Sequence, residues 1–409
     1  AAYWPNTPSP LTNDEIRERF SEPIGQPPLR ELAVGKAKPI LIVDDVTRPT
    51  PIARIAPFIL EEFEAAGVDL TQLRVIVATG THGPPEHEAL EAKLGPRIMQ
   101  TCPVIVHNDL GHTKFIGRTS FETPVYVNRE LLDADMVVGA SGVYPQHSTG
   151  FGGGGKLALG VLGRRTIRHL HFGHGSVGGN YNIDNDFRRD VTEMAQMLGL
   201  KTIVTVHINA MMQIVSVMAG DYTAYYDEAA RFSLERYDAP SPGDADVVIA
   251  NGYPSDVSYT FMRKGNKPIL AAHSTATKVM VASNHGGLGH HGLYPQGKDP
   301  RWLKYKELWD RISIMKPRMI ASKILKKLFL RKKSTYIYEA ESTAPPADST
   351  LWIYTPEGGN MNLPPLKSVR VVGEWDEIMK VIRESHHSKE RIKVRIYPCA
   401  SLQCIKPPT

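Results

Sequence analysis

The sequence predicts an α/β protein of two domains, each carrying a mainly parallel sheet. Three observations carry that reading. Short apolar runs alternate with segments of helical periodicity, the pattern of strands joined by crossover helices. At 409 residues the chain exceeds what one hydrophobic core usually organises. Composition shifts at Asp238 to Asp244 (DAPSPGD), and beyond that linker the strand pattern begins again.

Taken in order, a Pro-rich leader gives way to Pro39 to Val43 (PILIV), a short buried strand closed by Asp44, Asp45 and the turn TRPTP. Ile52 to Gly67 has helical periodicity and ends on a glycine suited to a C-cap. Leu73 to Val77 is a second strand running into ATGTHGPP, and Pro85 to Leu94 a helix. Val104 to Val106 and Met136 to Val138 are two more strands, and Thr202 to Met218 extends the same sheet. In the second domain, of residues 245–390, Val247 to Ala250, Ile269 to Ala272, Val279 to Ala282, Leu351 to Tyr354 and Val369 to Val372 read as strands. Residues 1–240 make the first domain, and 391–409, with the apolar stretch Ile392 to Tyr397, belong to either.

Composition is globular, with 42% hydrophobic and 22% charged residues. No apolar run is long enough to span a bilayer, and the first twenty residues lack the basic-then-apolar pattern of a secretory leader. The three cysteines, Cys102, Cys399 and Cys404, are odd in number and form no CxxC pair. A cytoplasmic protein without a disulfide framework or a thiolate zinc site is therefore expected. Much of the +5 net charge sits in Lys316 to Lys333. A basic amphipathic helix there binds membrane or nucleic acid, or is a solvated face beside an anionic ligand site; the last reading is preferred.

The chemistry concentrates between Tyr144 and Gly175. Gly150 and Gly152 to Gly155 lead into Lys156, with His147 upstream and His169, His171 and His174 downstream. Glycine lets backbone amides approach a ligand, and a glycine loop opening a helix suits a phosphate, with Gly153, Gly154, Gly155 and Lys156 as its contacts. GFGGGGK fits the phosphate-loop spacing, but Leu157 stands where that motif needs a magnesium-binding hydroxyl. A P-loop nucleotide-dependent enzyme is thus the alternative, and a phosphate-bearing organic cofactor is preferred. A non-catalytic nucleotide- or metal-binding protein is a third reading.

In open parallel sheets, ligands bind beyond the strand C-termini. DDVTRPTP, ATGTHGPP and the glycine segment each follow an apolar strand, so Arg48, His82 and Lys156 are expected to converge there. Arg48 suits a carboxylate, with Asp45 close enough to orient it. HLHFGH offers imidazoles on a strand-like segment to nickel, zinc or copper. HGGLGHHG, with His285, His290 and His291, reads as a flexible loop, a lid or a second metal site.

The combination DDVTRPTP, ATGTH, HSTGFGGGGK and GVLGRRTIRHLH resembles the nickel-dependent lactate racemase family. The resemblance implies two α/β domains with the active site between them, and 2-hydroxy acid racemisation or epimerisation by hydride transfer. It implies a nickel pincer nucleotide, made by separate biosynthetic enzymes and tethered to Lys156, with His171 as the protein ligand to nickel. It also implies His82 and His147 as the acid/base pair and Arg48 and Lys264 as carboxylate-holding cations, with Asp45 behind Arg48. Trp302 matches a family tryptophan that shapes the pocket. The family's YQxxK segment is altered, with Thr260 and Phe261 in place of Tyr and Gln. That makes the pocket more apolar and points to a different or bulkier 2-hydroxy acid than lactate. Neither a nucleic acid nor a membrane is expected as a partner.

Overall fold

A computed structural model of the chain describes residues 1–174, 180–293, 350–356 and 368–406. Trp302 and the basic run Lys316 to Lys333 lie outside them.

Two short helices lead in, α1 (Asn13–Ser21) and α2 (Leu29–Leu32); Thr12 and Glu15 cap the first reciprocally. Then follow β1 (Pro39–Asp44), α3 (Ile52–Ala65), β2 (Arg74–Ala78), α4 (His87–Thr101) and β3 (Val104–Val106). A hairpin, β4 (Thr113–Arg118) and β5 (Pro124–Asn128), precedes β6 (Met136–Gly142) and the two-residue strands β7 (Pro145–Gln146) and β8 (Gly150–Phe151). Helices α5 (Arg164–Gly173) and α6 (Asp186–Met197) lead to β9 (Leu200–Ile208), β10 (Ile214–Gly220), α7 (Tyr222–Arg236) and β11 (Asp238–Ala239). The remainder holds β12 (Val247–Asn251), α8 (Tyr259–Met262), α9 (Lys267–Ala271), β13 (Thr277–Val281), β14 (Leu351–Tyr354), β15 (Val369–Val372), α10 (Trp375–Ser385), β16 (Val394–Tyr397) and β17 (Cys404–Ile405).

The first sheet has the order β10-β9-β6-β1-β2-β3 and is parallel except for β10. β1 sits at its middle, with Ile42 opposite Ile76 on one side and Gly139 on the other. All six β1 residues are buried, as a strand covered on both faces requires. Ile40 and Ile42 pack into one apolar cluster with Leu170 and Met194, and Leu41 and Val43 into another with Ile55 and Ile98. The register brings the ends of β6, β1 and β2 side by side, so the loops that follow them emerge together.

The second sheet, β15-β14-β13-β12-β16, is parallel throughout. The chain ends tie the two halves together. Tyr3 N donates to Ile396 O on β16, and β17 pairs with β11.

The predicted strand Ile269 to Ala272 is a helix instead, α9. Four apolar residues carry no periodicity, and Pro268, whose missing N–H costs nothing in a first helical turn, decides the matter. Ile269 faces the core while Leu270 is exposed, an asymmetry a buried strand would not have. The predicted helix at Pro85 continues to Thr101 through a break at Gly95. Among the described residues no helix is long and apolar enough to cross a membrane.

Candidate active site

The turn after β1 is held from below. Lys93 Nζ, on α4, pairs with Asp44 at 2.8 Å and donates to the carbonyls of Arg48 and Thr50 at 2.9 and 2.8 Å. Thr50 donates to the other oxygen of Asp44. Fixing the turn fixes Asp45, which is buried and whose two oxygens are both engaged. Thr47 Oγ1 donates to one at 2.7 Å, and His82 Nδ1 meets the other at 2.7 Å. A carboxylate accepts, so His82 donates from Nδ1, leaving the Nε2 lone pair as its basic position.

Burial depresses the His82 pKa below its ordinary 6.5, against the pull of Asp45 and with help from the Arg48 and Lys264 charges. The imidazole is thus neutral near pH 7. Burial pushes the Asp45 carboxyl up, but His82, Arg48 and Thr47 outweigh it, and the acid stays ionised. Asp45 therefore orients His82 rather than binding the Arg48 side chain. Arg48 Nη1 instead donates to Thr47 Oγ1 at 3.0 Å, which hands it the same anchor at one remove.

The glycine run is clamped onto the sheet by its own chain. Tyr226 OH donates to Gly152 O at 2.8 Å, while Arg188, buried and stacked 4.1 Å from the Tyr226 ring centroid, donates to Phe151 O. Gly153 (φ 70°) and Gly154 (φ 56°) both need the left-handed region. A Cβ at Gly153 would sit 2.6 Å from Val143 Cγ2, and one at Gly154 2.5 Å from Tyr226 Cδ2. The missing Cβ atoms thus serve the loop's close seat on the protein. Gly152, Gly153 and Lys156 line the cavity, whereas Gly154 and Gly155 are buried against Tyr226 and Thr192. The run enters a 3-10 helix, Gly154–Val161, from the two-residue β8. A P-loop needs an α-helix there, so the phosphate-loop alternative loses its geometry.

The segment HLHFGH is helical, not strand-like, and lies in α5. Its histidines consequently point different ways. His169 is buried and His174 pairs with Asp190 at 2.7 Å; of the three, His171 is the one that lines the cavity. Its Nδ1 donates to Ile167 O at 2.8 Å, which puts the lone pair on Nε2. Among the described residues no three His, Cys, Asp or Glu side chains form a metal-binding group.

One cavity of about 210 Å³ takes in Asp45, Arg48, His82, His147, Lys156 and His171 from the first half of the chain and Lys264 from the second. Lys264 Nζ reaches Thr47 O at 3.4 Å. Burial, then the Arg48 charge, holds its pKa well below the ordinary lysine value.

A model of the lactate racemase N-terminal domain matches residues 4–179. Lactate racemase of Lactiplantibacillus plantarum is 29% identical over 296 residues, 69% of this chain and 68% of that protein. Lactate racemase of Thermoanaerobacterium thermosaccharolyticum is 25% identical over 344 residues, 80% of each. Over most of its length this chain is similar to lactate racemases. The solved lactate racemase apoprotein from T. thermosaccharolyticum has the same fold, with a TM-score of 0.69 at 21% identity over 96% of this chain and 92% of that one. A Thermotoga maritima protein gives 0.60 at 18% identity, over 98% and 100%. Its similarity to two lactate racemases supports an enzyme of the isomerase class.

In the cavity of this lactate racemase relative, Lys267 escaped the sequence reading, and His291 was read only as part of a flexible loop, a lid or a second metal site. His291 lies 5.3 Å, centroid to centroid, from His82. Its loop is pinned across the cleft where Gly292 N donates to Thr81 O at 2.7 Å. Burial, followed by the charges of His82, His171 and Arg48, keeps His291 neutral. Lys267 also lines the cavity, three residues beyond Lys264. The only advance signal for His291 was its glycine-rich surrounding, and Lys267 had none. Thr260 and Phe261 line the cavity as well, with the Phe261 ring edge-on to His82 at 4.8 Å.

Proposed function

We propose that the chain is a racemase or epimerase acting at C2 of a 2-hydroxy acid. Its active site is the cleft between two α/β domains, residues 1–240 and 245–390, with β16 joining the second sheet and only β17 returning to pair with β11. The observation that carries the reading is one positively lined cavity holding an aspartate-oriented neutral imidazole, His82, together with His147, Arg48 and Lys264. Inverting a stereocentre requires proton-handling groups on both sides of the substrate, and the carboxylate has to stay fixed while its neighbour is planar. Arg48 and Lys264 hold the carboxylate. His82 takes the hydroxyl proton at Nε2 for one enantiomer while Asp45 steadies the imidazolium formed, and His147 does the same for the other.

Side chains alone supply no acceptor for the C2 hydride. A nickel pincer nucleotide (pyridinium-3,5-bisthiocarboxylic acid mononucleotide nickel) tethered to Lys156 supplies that chemistry when bound. The donors available fit such a group. His171 offers Nε2, and with no three-residue metal cluster among the described residues, the remaining donors would come from the cofactor itself. The cofactor-making enzymes are then partners of the chain, and its buried free thiols suit a reducing cytoplasm.

Phe261 and Thr260 make the wall beside His82 less polar than a Tyr–Gln pair would, which favours a substrate other than lactate. The test is a panel of enantiopure aliphatic, aromatic and dicarboxylic 2-hydroxy acids given to cofactor-loaded protein. Interconversion of one or more is expected. A protein bearing the added mass at Lys156 that leaves every acid unchanged would end the proposal.

A further inference from the structure

Arg48 and Lys264 account for one carboxylate, and the cavity carries charge beyond that need. Lys267 opens α9, and its Nζ is buried without a hydrogen-bond partner among the described residues. The face of the Tyr181 ring lies 3.6 Å from the ammonium, measured to the centroid, and the Cys404 thiol is a further neighbour. The ring itself is held by its hydroxyl, which accepts from Ile405 N at 2.6 Å. The two carboxylates of the cavity are already engaged, Asp44 by Lys93 and Asp45 by His82.

A buried ammonium with neither counter-ion nor acceptor is expensive, and protein interiors rarely keep one idle. A structural lysine would find a carbonyl or carboxylate, as Lys93 does with three oxygens a short way off. Burial lowers the Lys267 pKa to about 8, so near neutral pH the amine is mostly charged and an incoming anion would charge it fully. Lys267 lines the cavity, and with an aromatic face against its ammonium the donors are left without an acceptor among the described residues.

We propose that Lys267 forms a second anion subsite in this cavity, separate from the Arg48–Lys264 pair, that receives a carboxylate or phosphate group. Deepening the racemase reading, on which its biological meaning rests, this subsite has two possible sources for its anion. One is the phosphate of the tethered nucleotide. The other is the second carboxylate of a 2-hydroxy dicarboxylic acid.

Titrating inorganic phosphate and, separately, succinate into the purified full chain tests the subsite without turnover. Lys267→Met, which keeps the side-chain volume and removes the charge, should weaken binding of at least one probe about tenfold or more, and Lys267→Arg should restore it. Equal affinity in wild type and Lys267→Met, with an unchanged melting temperature as the folding control, overturns the proposal. In cofactor-loaded protein the sources separate. A smaller fraction of chains carrying the added mass at Lys156 assigns the subsite to the nucleotide phosphate. Unchanged loading with a lost preference for dicarboxylic over monocarboxylic hydroxy acids, read as the ratio of kcat/KM values, assigns it to substrate. Neither change in Lys267→Met refutes the subsite. Should wild type racemise nothing, the titrations still decide the subsite, so the two failures are told apart.

Discussion

Replacing Asp45 with Asn removes a charge and almost no volume, so it isolates what the carboxylate does for His82. The 2.7 Å contact between Asp45 Oδ2 and His82 Nδ1 is a charge-assisted hydrogen bond in a buried setting. Such bonds contribute about 1.5–3 kcal/mol, and the contribution grows as the imidazole takes a proton in the transition state. At 1.36 kcal/mol per decade, kcat in Asp45→Asn should fall roughly 10- to 160-fold. The pH profile supplies a second readout. In the wild type, burial lowers the His82 pKa while the Asp45 charge and hydrogen bond raise it. Without Asp45 the opposing pull disappears, so the acid limb of kcat/KM should move to lower pH. The assay is chiral chromatography of the interconverted acid across pH, on protein whose Lys156 loading is matched by intact mass. A near-wild-type kcat with an unmoved acid limb would refute the pairing as a catalytic device.

Three histidine variants should separate by role. His82→Ala and His147→Ala are each expected to abolish interconversion while retaining the added mass at Lys156, whereas His171→Ala should lower bound nickel measured by elemental analysis. One shared phenotype for all three would undercut those assignments. Gly153→Ala places a Cβ 2.6 Å from Val143 Cγ2 at a φ of 70°, and should cost about 2–4 kcal/mol in denaturant unfolding. A loss under 1 kcal/mol would mean that the loop has slack the packing denies.

The strands were legible because buried parallel strands are short, apolar and bounded by turn residues. Val104–Val106, Leu351–Tyr354 and Val369–Val372 begin and end where the sequence places them. The convergence of DDVTRPTP and ATGTHGPP follows from the adjacency of β1 and β2. What stayed hidden depends on long-range packing. Asp45 and His82 are 37 residues apart, and no local pattern says that the carboxylate meets the imidazole rather than Arg48. HLHFGH misled because four of its six residues are His or Gly, which erases the apolar period that distinguishes helix from strand. Lys267 looked like one surface lysine among many until α9 turned it into the cavity.

The same cations that pin a carboxylate also set the proton affinity of the base beside it. Arg48 and Lys264 each lower the His82 pKa. When a substrate carboxylate docks between them, its negative charge offsets theirs, and the lowering they impose relaxes. Substrate thereby raises the basicity of the group that has to take its proton, which improves the match between acceptor and hydroxyl. The consequence is measurable because kcat/KM reports the free enzyme and kcat the loaded complex. The acid limb of kcat should lie at higher pH than that of kcat/KM, and Lys264→Met should move the kcat/KM limb to higher pH by removing one of the two charges that lower the His82 pKa. Limbs that coincide, or a kcat limb at lower pH, would mean that the carboxylate binds away from these cations.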